Sequence, residues 1–226
     1  MHDEQSGVTL DQVLSGVRRK DAGAPLPAVR CLGLDYDSRR IQPGWLFFAF
    51  SGSKVDGRHF ALEAMEKGAA GAVSEFPPPD RFPGFWIEVE HGRVALATAA
   101  GNFYGWPDRK LNLTGVTGTN GKTTTAFLID SLLHAAGKTT ALVGTIEYRL
   151  AGKVLPAVNT TPESLDLFRM FAELAGQGGT HATLEVSSHA LALGRVHGIH
   201  FHTAVFTNLT RDHLDFHRDM DDYFAA

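Results

Sequence analysis

The sequence predicts an α/β protein with two domains: a small amino-terminal α/β domain at 1–108 and, at 109–226, a truncated domain on a doubly wound, mainly parallel sheet. Three observations support this class. A strand pattern beginning at 111 passes through a glycine-rich loop into a helix pattern that ends near residue 136. Strand and helix patterns then alternate along the chain, as they do in parallel sheets covered by helices. Residues 105–110 break both patterns, which places the domain boundary there.

The amino-terminal domain is predicted to open with a short amphipathic helix. Leu10, Val13, Leu14 and Val17 recur at helical spacing, and Thr9 lies near the cap position. Three prolines in 76–79 cannot join a central ladder, so this segment is predicted to be a surface connection. The other elements predicted for this domain are strands at 29–34, 45–50, 71–74 and 85–89 and helices at 59–67 and 94–103.

The second domain is predicted from the regular alternation of strand patterns and helix patterns along the chain. Its strands are expected at 111–117, 139–144, 182–186 and 203–207, and its helices at 123–136, 162–175 and 220–226. The chain stops within the last of these helix patterns, so we expect it to be a fragment of a longer protein.

Composition excludes several classes of function. The net charge is −4 and no Lys/Arg run occurs, so no nucleic-acid surface is indicated. No apolar run approaches the roughly 20 residues of a membrane helix. The acidic start is unlike a secretory signal, and the single cysteine, Cys31, excludes an internal disulfide. We therefore expect a cytoplasmic protein without membrane insertion. We also expect a monomer.

The glycine-rich loop predicts a nucleotide triphosphate site. Gly118 and Gly121 allow the main chain to approach phosphate oxygens, and the helix that follows directs its positive end at the same point. Lys122 can reach the β- and γ-phosphates, and the Thr123 hydroxyl suits Mg²⁺. The general loop pattern expects glycine where Val116 stands. The alternative is a tight strand-to-helix turn that needs glycine for geometry alone.

Two polar segments follow predicted strands of the second domain. Glu185 ends a strand, where a carboxylate can hold Mg²⁺ beside a triphosphate. The segment at 206–217 carries alternating histidine and aspartate, but it lacks a tetrahedral zinc set. The histidines at 197, 200 and 202 are interpreted as surface and strand residues, because no metal-ligand spacing joins them.

Four segments together resemble the Mur ligase and folylpolyglutamate synthetase superfamily. They are Asp37–Ala49, continued at 52–59; the loop 118–123; Asn-Thr-Thr-Pro at 159–162; and Glu-Val-Ser-Ser-His at 185–189, continued to Arg195. They lie in order over most of the chain. Asn-Thr-Thr-Pro is similar to a loop of the Mur ligase that adds the third stem residue. The amino-terminal segment implies a domain that holds the UDP end of the substrate. It argues against the folate enzyme, which lacks such a domain.

The resemblance implies a role for each matching residue. Lys122 is the expected catalytic residue. The ATP-binding set is Gly118, Thr119, Asn120, Gly121, Lys122, Thr123, Thr124 and Asn208. The substrate-binding set is Tyr36, Ser38, Ser53, Lys54, Val55, Asn159, Thr160, Thr161, Ser187 and Arg195. The Mg²⁺ set is Thr123, Glu185 and His213. For Ser38 and Arg39 the alternative is a turn. Thr160 and Thr161 are also predicted to cap the helix that follows.

The implied reaction is ATP-dependent amide formation in peptidoglycan precursor synthesis. ATP would phosphorylate the D-glutamate side-chain carboxylate of UDP-N-acetylmuramoyl-L-alanyl-D-glutamate, and a diamino acid amine would displace the phosphate. Either meso-diaminopimelate or L-lysine fits, because the amino-acid domain and a carbamylated lysine of the relatives would follow Ala226. This chain alone is therefore expected to bind ligands without completing ligation. Another amide ligase of the superfamily, or a non-catalytic nucleotide-binding module, remains an alternative.

Overall fold

The structure, a computed structural model, describes residues 7–52 and 56–226. The chain divides into two compact units, Met1–Gly105 and Trp106–Ala226. Gly105 and Trp106 both have left-handed backbone conformations, with φ of 71° and 51°. A 3-10 turn at Pro107–Lys110 then leads into the second unit.

The described part of the first unit is built on a four-stranded parallel sheet. In order, its elements are β1 (Val8–Thr9), α1 (Leu10–Val13), β2 (Arg30–Cys31), β3 (Gly33–Asp35), β4 (Trp45–Phe48), α2 (Ala61–Glu66), β5 (Gly71–Ser74), β6 (Phe85–Glu88) and α3 (Gly92–Tyr104). The sheet has the order β3-β4-β5-β6, and β1 and β2 form a separate antiparallel pair. Its core contains Phe47 and Ala49 against Ala61 and Ala64 of α2.

Two sequence predictions for this unit are corrected. The strand expected at 29–34 is divided at Leu32, which is 51% exposed and donates its N–H to Gly44 O at 3.0 Å. The two halves consequently belong to different sheets. The first helix ends at Val13 instead of continuing to Val17, because Gly16 takes a positive φ of 75°.

The second unit is an α/β sheet unit with helices between its parallel strands. In order, its elements are β7 (Asn112–Thr117), α4 (Lys122–Ala135), β8 (Thr140–Val143), β9 (Glu147–Leu150), β10 (Lys153–Pro156), α5 (Ser164–Gly176), β11 (His181–Glu185), α6 (Ser188–Ala192), β12 (Thr203–Phe206) and α7 (Met220–Ala225). The sheet order is β10-β9-β8-β11-β7-β12. The pairs among β8, β11, β7 and β12 are parallel, and β9 and β10 are antiparallel.

The β9–β10 hairpin and the short helix α6 are absent from the sequence prediction. The hairpin turns at Ala151 and Gly152, whose φ values are 46° and 86°. Asparagine or aspartate before glycine is the usual signal for such a turn. This chain has alanine in that position, so the sequence did not indicate the turn. Among the described residues, no helix is long and apolar enough to span a lipid bilayer.

Candidate functional site

The candidate site lies at the carboxyl edge of the parallel sheet in the second unit. Glu185, the last residue of β11, is in register with Val116 of β7, two residues before Gly118. On the other side of β11, Leu184 is in register with Val143, the last residue of β8. Three strand ends thus bring the loops that follow β7 and β8 next to Glu185, as expected for a ligand crevice in an open α/β sheet.

The loop after β7 has the geometry of a phosphate-binding loop. Gly118 and Gly121 have φ of 127° and 86°, and Gly121 is the N-cap of α4. A Cβ on Gly118 would overlap Thr207 Oγ1 and lie 2.8 Å from Asn208 O. Glycine is therefore required at 118 by both its backbone conformation and the close approach of a second segment. The backbone N–H groups at the start of the 14-residue helix α4 are available to an anion.

Lys122 extends over this loop. Its Nζ donates to Gly118 O at 2.6 Å and to Thr119 O at 3.0 Å. Burial lowers the pKa of Lys122, whereas the negative charges of Glu185 and Asp212 act in the opposite direction. The ammonium group also lines a cavity of about 260 Å³. Other residues lining that cavity include Gly118, Ser188, Leu191, His213 and Tyr223.

Glu185 is a fully buried carboxylate held entirely by oxygen and nitrogen donors of the site. Its Oε2 accepts from Thr123 Oγ1 at 2.8 Å and from Thr145 Oγ1 at 3.1 Å. Its Oε1 accepts from the Thr145 N–H at 3.0 Å. A Cβ at Gly144 would overlap Oε1, so this position too admits only glycine without a shift.

The pair of Thr123 and Glu185 suits a hard divalent cation. A hydroxyl and a carboxylate 2.8 Å apart are oxygen ligands of the type that Mg²⁺ prefers. In the described part of the chain, no group of three or more His, Cys, Asp or Glu side chains could hold a metal ion. The Thr123 hydroxyl and the Glu185 carboxylate fit a cation that takes most of its remaining ligands from water and phosphate, which is how Mg²⁺ usually binds.

Residues after β12 hold the loop at 118–121, which we call the phosphate loop. Asn208 Oδ1 accepts from the Asn120 N–H at 3.1 Å, and Asn208 Nδ2 donates to Asn120 O at 2.9 Å. Thr207 Oγ1 also donates to Asn120 O, at 2.7 Å. The Asn208 amide, expected near the nucleotide, thus holds the backbone of the loop. Thr119 is buried beneath the loop, whereas Asn120 and Thr124 are exposed.

The Asn159–Thr161 segment is attached to the same strand end, and here the capping prediction is wrong. The N-cap of α5 is Glu163, which makes no side-chain capping bond. Thr161 is buried, and its Oγ1 donates to Glu185 O at 2.8 Å and accepts from the Ser187 N–H at 3.0 Å. Thr160 Oγ1 lies 3.0 Å from Thr145 Oγ1. Bonds to the end of β11 and to Thr145 after β8 therefore use the hydroxyls that a local cap would need.

Two further side chains hold this segment in place. Tyr148, buried on β9, donates its hydroxyl to Asn159 O at 2.5 Å and accepts from the Asn159 N–H at 2.9 Å. Arg195 NH1 donates to Thr161 O at 3.0 Å, and its Nε lies 3.2 Å from Glu163 Oε1. Arg195, expected to bind substrate, is brought beside Thr161 with its charge already partly balanced by Glu163.

His213 also lines the Lys122 cavity, at a left-handed backbone position with φ of 54°. Its ring meets His189 edge-on, with centroids 5.0 Å apart, and Tyr223 edge-on at 5.9 Å. Burial lowers the pKa of His189, and the nearby His213 and His217 rings lower it further. The structure thus places His213 and Lys122 in the lining of one cavity, while Thr123 and Glu185 bond to one another.

The first unit has its own cavity where the UDP end of a substrate was expected. Tyr36, Ser38, Phe60 and Glu63 are among the residues that line this space of about 500 Å³. Ser38 is buried and donates to Glu63 Oε2 at 2.8 Å. Hydrogen bonds, first from the Lys67 ammonium and then from Ser38, lower the pKa of Glu63. The remaining expected residues, 53–55, lie outside the described residues.

Sequence reasoning missed several residues that shape the site. Thr145 follows the carboxyl end of β8, so the strand-end argument that selected Glu185 could have selected it as well. Thr207 and Tyr223 gave no comparable signal, because their bonds join segments far apart in sequence. Tyr148 bonds to Asn159, 11 residues away, from a strand that the sequence did not predict.

Comparisons with known proteins give a consistent result. A family model described as the Mur ligase middle domain matches residues 116–226, and one described as Mur ligase family, catalytic domain, matches residues 31–104. A relative from Solibacter usitatus (strain Ellin6076), named UDP-N-acetylmuramoyl-L-alanyl-D-glutamate--2,6-diaminopimelate ligase, is 63% identical over 97% of this chain and 44% of its own length. A relative of the same name from Geobacter metallireducens is 44% identical over 96% of this chain and 42% of its own length.

A solved structure leads to the same family as the sequence comparisons. A structure of UDP-N-acetylmuramoyl-L-alanyl-D-glutamate--2,6-diaminopimelate ligase matches with a TM-score of 0.75 and 28% identity, over 96% of this chain and 43% of the other. The chain therefore spans less than half the length of the curated relatives that it matches.

Proposed function

Because the chain belongs to the Mur ligase family, we propose that it is the substrate-binding and nucleotide-binding part of an ATP-dependent amide ligase. The proposed reaction joins 2,6-diaminopimelate to UDP-N-acetylmuramoyl-L-alanyl-D-glutamate, as the names of its relatives state for them. The unit at Met1–Gly105 would hold the UDP end, and the unit at Trp106–Ala226 would hold ATP.

One observation carries the proposal. A loop with two left-handed glycines begins a helix with Lys122, and the next residue, Thr123, bonds to the buried Glu185 carboxylate at 2.8 Å. This arrangement supplies backbone N–H groups and a cation for phosphate, together with an oxygen pair for a metal ion. A turn that served packing alone would not need a buried carboxylate beside the loop.

The chemistry follows from charge. A carboxylate must approach a triphosphate for phosphoryl transfer, so two anions meet at the reacting centre. Lys122 and the N–H groups at the start of α4 would neutralise the phosphate oxygens and hold the γ-phosphoryl group in line. Thr123 and Glu185 would hold Mg²⁺, which supplies further charge neutralisation when bound. Phosphorylation would make the carboxylate oxygen a leaving group for the incoming amine.

The Asn159–Thr161 segment supports a role in binding the peptide end. Asn159 is exposed and Thr160 half-buried at the site, while Tyr148 and Thr161 anchor the backbone on either side. Ser187 follows Glu185 closely, and Arg195 carries a guanidinium group able to pair with a carboxylate at two points. In the first unit, Tyr36 and Ser38 line the cavity proposed for uridine or its diphosphate.

Calorimetric titration of the chain with ATP, with and without Mg²⁺, tests the nucleotide assignment. Lys122→Ala is expected to abolish detectable binding, because the Lys122 ammonium group supplies the positive charge that would meet the phosphates. Lys138→Ala is the matched control, since Lys138 is exposed beyond the carboxyl end of α4. Unchanged ATP affinity in a folded Lys122→Ala protein would remove the basis of the proposal.

A second titration, with UDP-N-acetylmuramoyl-L-alanyl-D-glutamate, tests the substrate. Ser38→Ala is expected to weaken binding from the UDP end, and Arg195→Ala from the peptide end. Each variant should retain its ATP affinity if it folds. Binding of ATP without any binding of the UDP-linked peptide would instead favour a nucleotide-binding module of another kind.

A further inference from the structure

A buried histidine that the reaction scheme does not use connects two parts of the nucleotide site. His217 is 3% exposed, and its Nε2 lies 2.9 Å from Ser188 Oγ, at the start of α6. Its ring stacks on Tyr223, with centroids 5.0 Å apart and planes 23° apart. Its Nδ1 also lies 3.8 Å from Asp222 Oδ2. A buried imidazole held by these groups and by a stacked ring has a restricted orientation.

His217 also closes the turn that presents His213. The N–H groups of Phe216 and His217 both donate to His213 O, at 3.1 Å and 2.9 Å. His213 itself occupies a left-handed conformation with φ of 54°, which is costly for a residue with a Cβ unless its surroundings fix it. The buried side chain of His217 anchors the end of this turn, so it opposes relaxation of His213 to an ordinary conformation.

The same stack reaches the phosphate loop. Tyr223 OH lies 3.0 Å from Thr119 Oγ1, and Thr119 Oγ1 also accepts from the Thr210 N–H at 2.9 Å. The Tyr223 ring meets the His213 ring edge-on on another side. Tyr223 therefore contacts His217, His213 and the loop, and its position depends on the ring stacked against it.

We propose that His217 is a positioning residue: its side chain fixes the turn and the Tyr223 ring that hold His213 against the Lys122 cavity, and it thereby couples His213 to the phosphate loop. The packing part of this inference rests on the contacts above. Its consequence for metal and nucleotide binding rests on the proposed function, together with the Mg²⁺ role that the family resemblance implies for His213.

The packing part is tested by nuclear magnetic resonance of the histidine rings in the 226-residue chain. The His213 ring signals should move in His217→Ala, because the rings of Tyr223 and His189 that shift them would be displaced. His217→Phe keeps a ring on Tyr223 but loses the bond to Ser188, and it should cause a smaller change. His202→Ala, at an exposed histidine before β12, is the control. His213 signals that stay unchanged in a folded His217→Ala protein would overturn the proposal.

The functional part is tested by the factor by which Mg²⁺ tightens ATP binding. Partners that orient a metal ligand typically contribute about tenfold to a hundredfold in affinity, so His217→Ala should reduce this factor by at least about tenfold. If His217 acts through His213, the double variant should match His213→Ala alone. Additive losses from the two substitutions would show that His217 acts by another route and would contradict the proposal.

The two measurements separate two kinds of failure. If the unsubstituted chain binds ATP without any dependence on Mg²⁺, the proposed function is wrong in its metal assignment. A displaced His213 signal in His217→Ala would still establish the positioning role in that case. If Mg²⁺ dependence is present and neither measurement responds to His217, the positioning role itself is wrong.

Discussion

Replacing Glu185 with glutamine isolates the charge of the buried carboxylate from its shape. Oε1 faces the Thr145 N–H, which can only donate, so the amide oxygen must take that position. The amide nitrogen then faces the hydroxyls of Thr123 and Thr145, at the 2.8 Å and 3.1 Å positions of Oε2. Both hydroxyls can rotate to accept, so the local bonds survive and the cost in stability should be about 1–2 kcal/mol.

The effect on metal-dependent binding should be much larger. The variant turns an amide NH₂ group towards Thr123, and it loses the negative charge that makes the site attractive to Mg²⁺. We expect the factor by which Mg²⁺ tightens ATP binding to fall by about tenfold to a hundredfold. Metal-free ATP affinity should change little or increase slightly, because a negative charge near the phosphates is removed.

Calorimetry with and without Mg²⁺, combined with thermal unfolding, measures both effects on the same samples. Glu173→Gln is the matched control, since Glu173 lies on α5 with a side chain that is 45% exposed. The reasoning would be refuted if Glu185→Gln had the same Mg²⁺ dependence as the unsubstituted chain. A variant that fails to fold would instead mean that the hydroxyls cannot rotate, and near-ultraviolet circular dichroism would reveal that outcome.

Three further predictions concern other positions. Gly118→Ala should lose ATP binding and at least about 1 kcal/mol of stability, because φ of 127° and contact with Thr207 both exclude a Cβ; retained binding in titration would contradict this. The pKa of Glu63 is lowered, chiefly by Lys67, so its stabilising contribution is present above its unfolded pKa and is lost as pH falls through the folded value. Glu63→Gln should therefore flatten acid unfolding below about pH 5, and an identical pH profile would count against the pairing. Burial raises the pKa of Cys31 to about 11, so a thiol reagent at neutral pH should react only after unfolding; rapid labelling of the native protein would disprove this.

The parts of the site that could be predicted from sequence are those with a local cause. Gly118, Gly121 and Lys122 form one contiguous loop whose chemistry follows from glycine freedom and a helix start. Glu185 followed from its place at a strand end, and the same rule extends to Thr145. The class of fold was predictable because strand and helix periodicities alternate over long segments.

The remaining features depend on contacts between distant segments. Thr161 was predicted to cap a helix, but its hydroxyl bonds to the end of β11 instead, 24 residues along the chain. Asn208 stays predicted to lie near the nucleotide, and nothing in the sequence indicated that its amide also bonds to the backbone of Asn120, 88 residues away. The hairpin turns at Ala151, and the first predicted strand is divided at Leu32. Alanine does not usually indicate a turn, and leucine does not usually indicate a break in a strand.

The contacts that hold the phosphate loop affect the order in which helical structure and nucleotide binding appear during folding. The loop is held by the Thr207–Thr210 segment and by Tyr223, across sequence separations of 87 to 104 residues. Contacts of such long range close large loops and form late in folding. During refolding, helical circular dichroism should therefore recover before fluorescent ATP analogues begin to bind. During synthesis on the ribosome, the loop would stay unbraced until Tyr223 has left the exit tunnel.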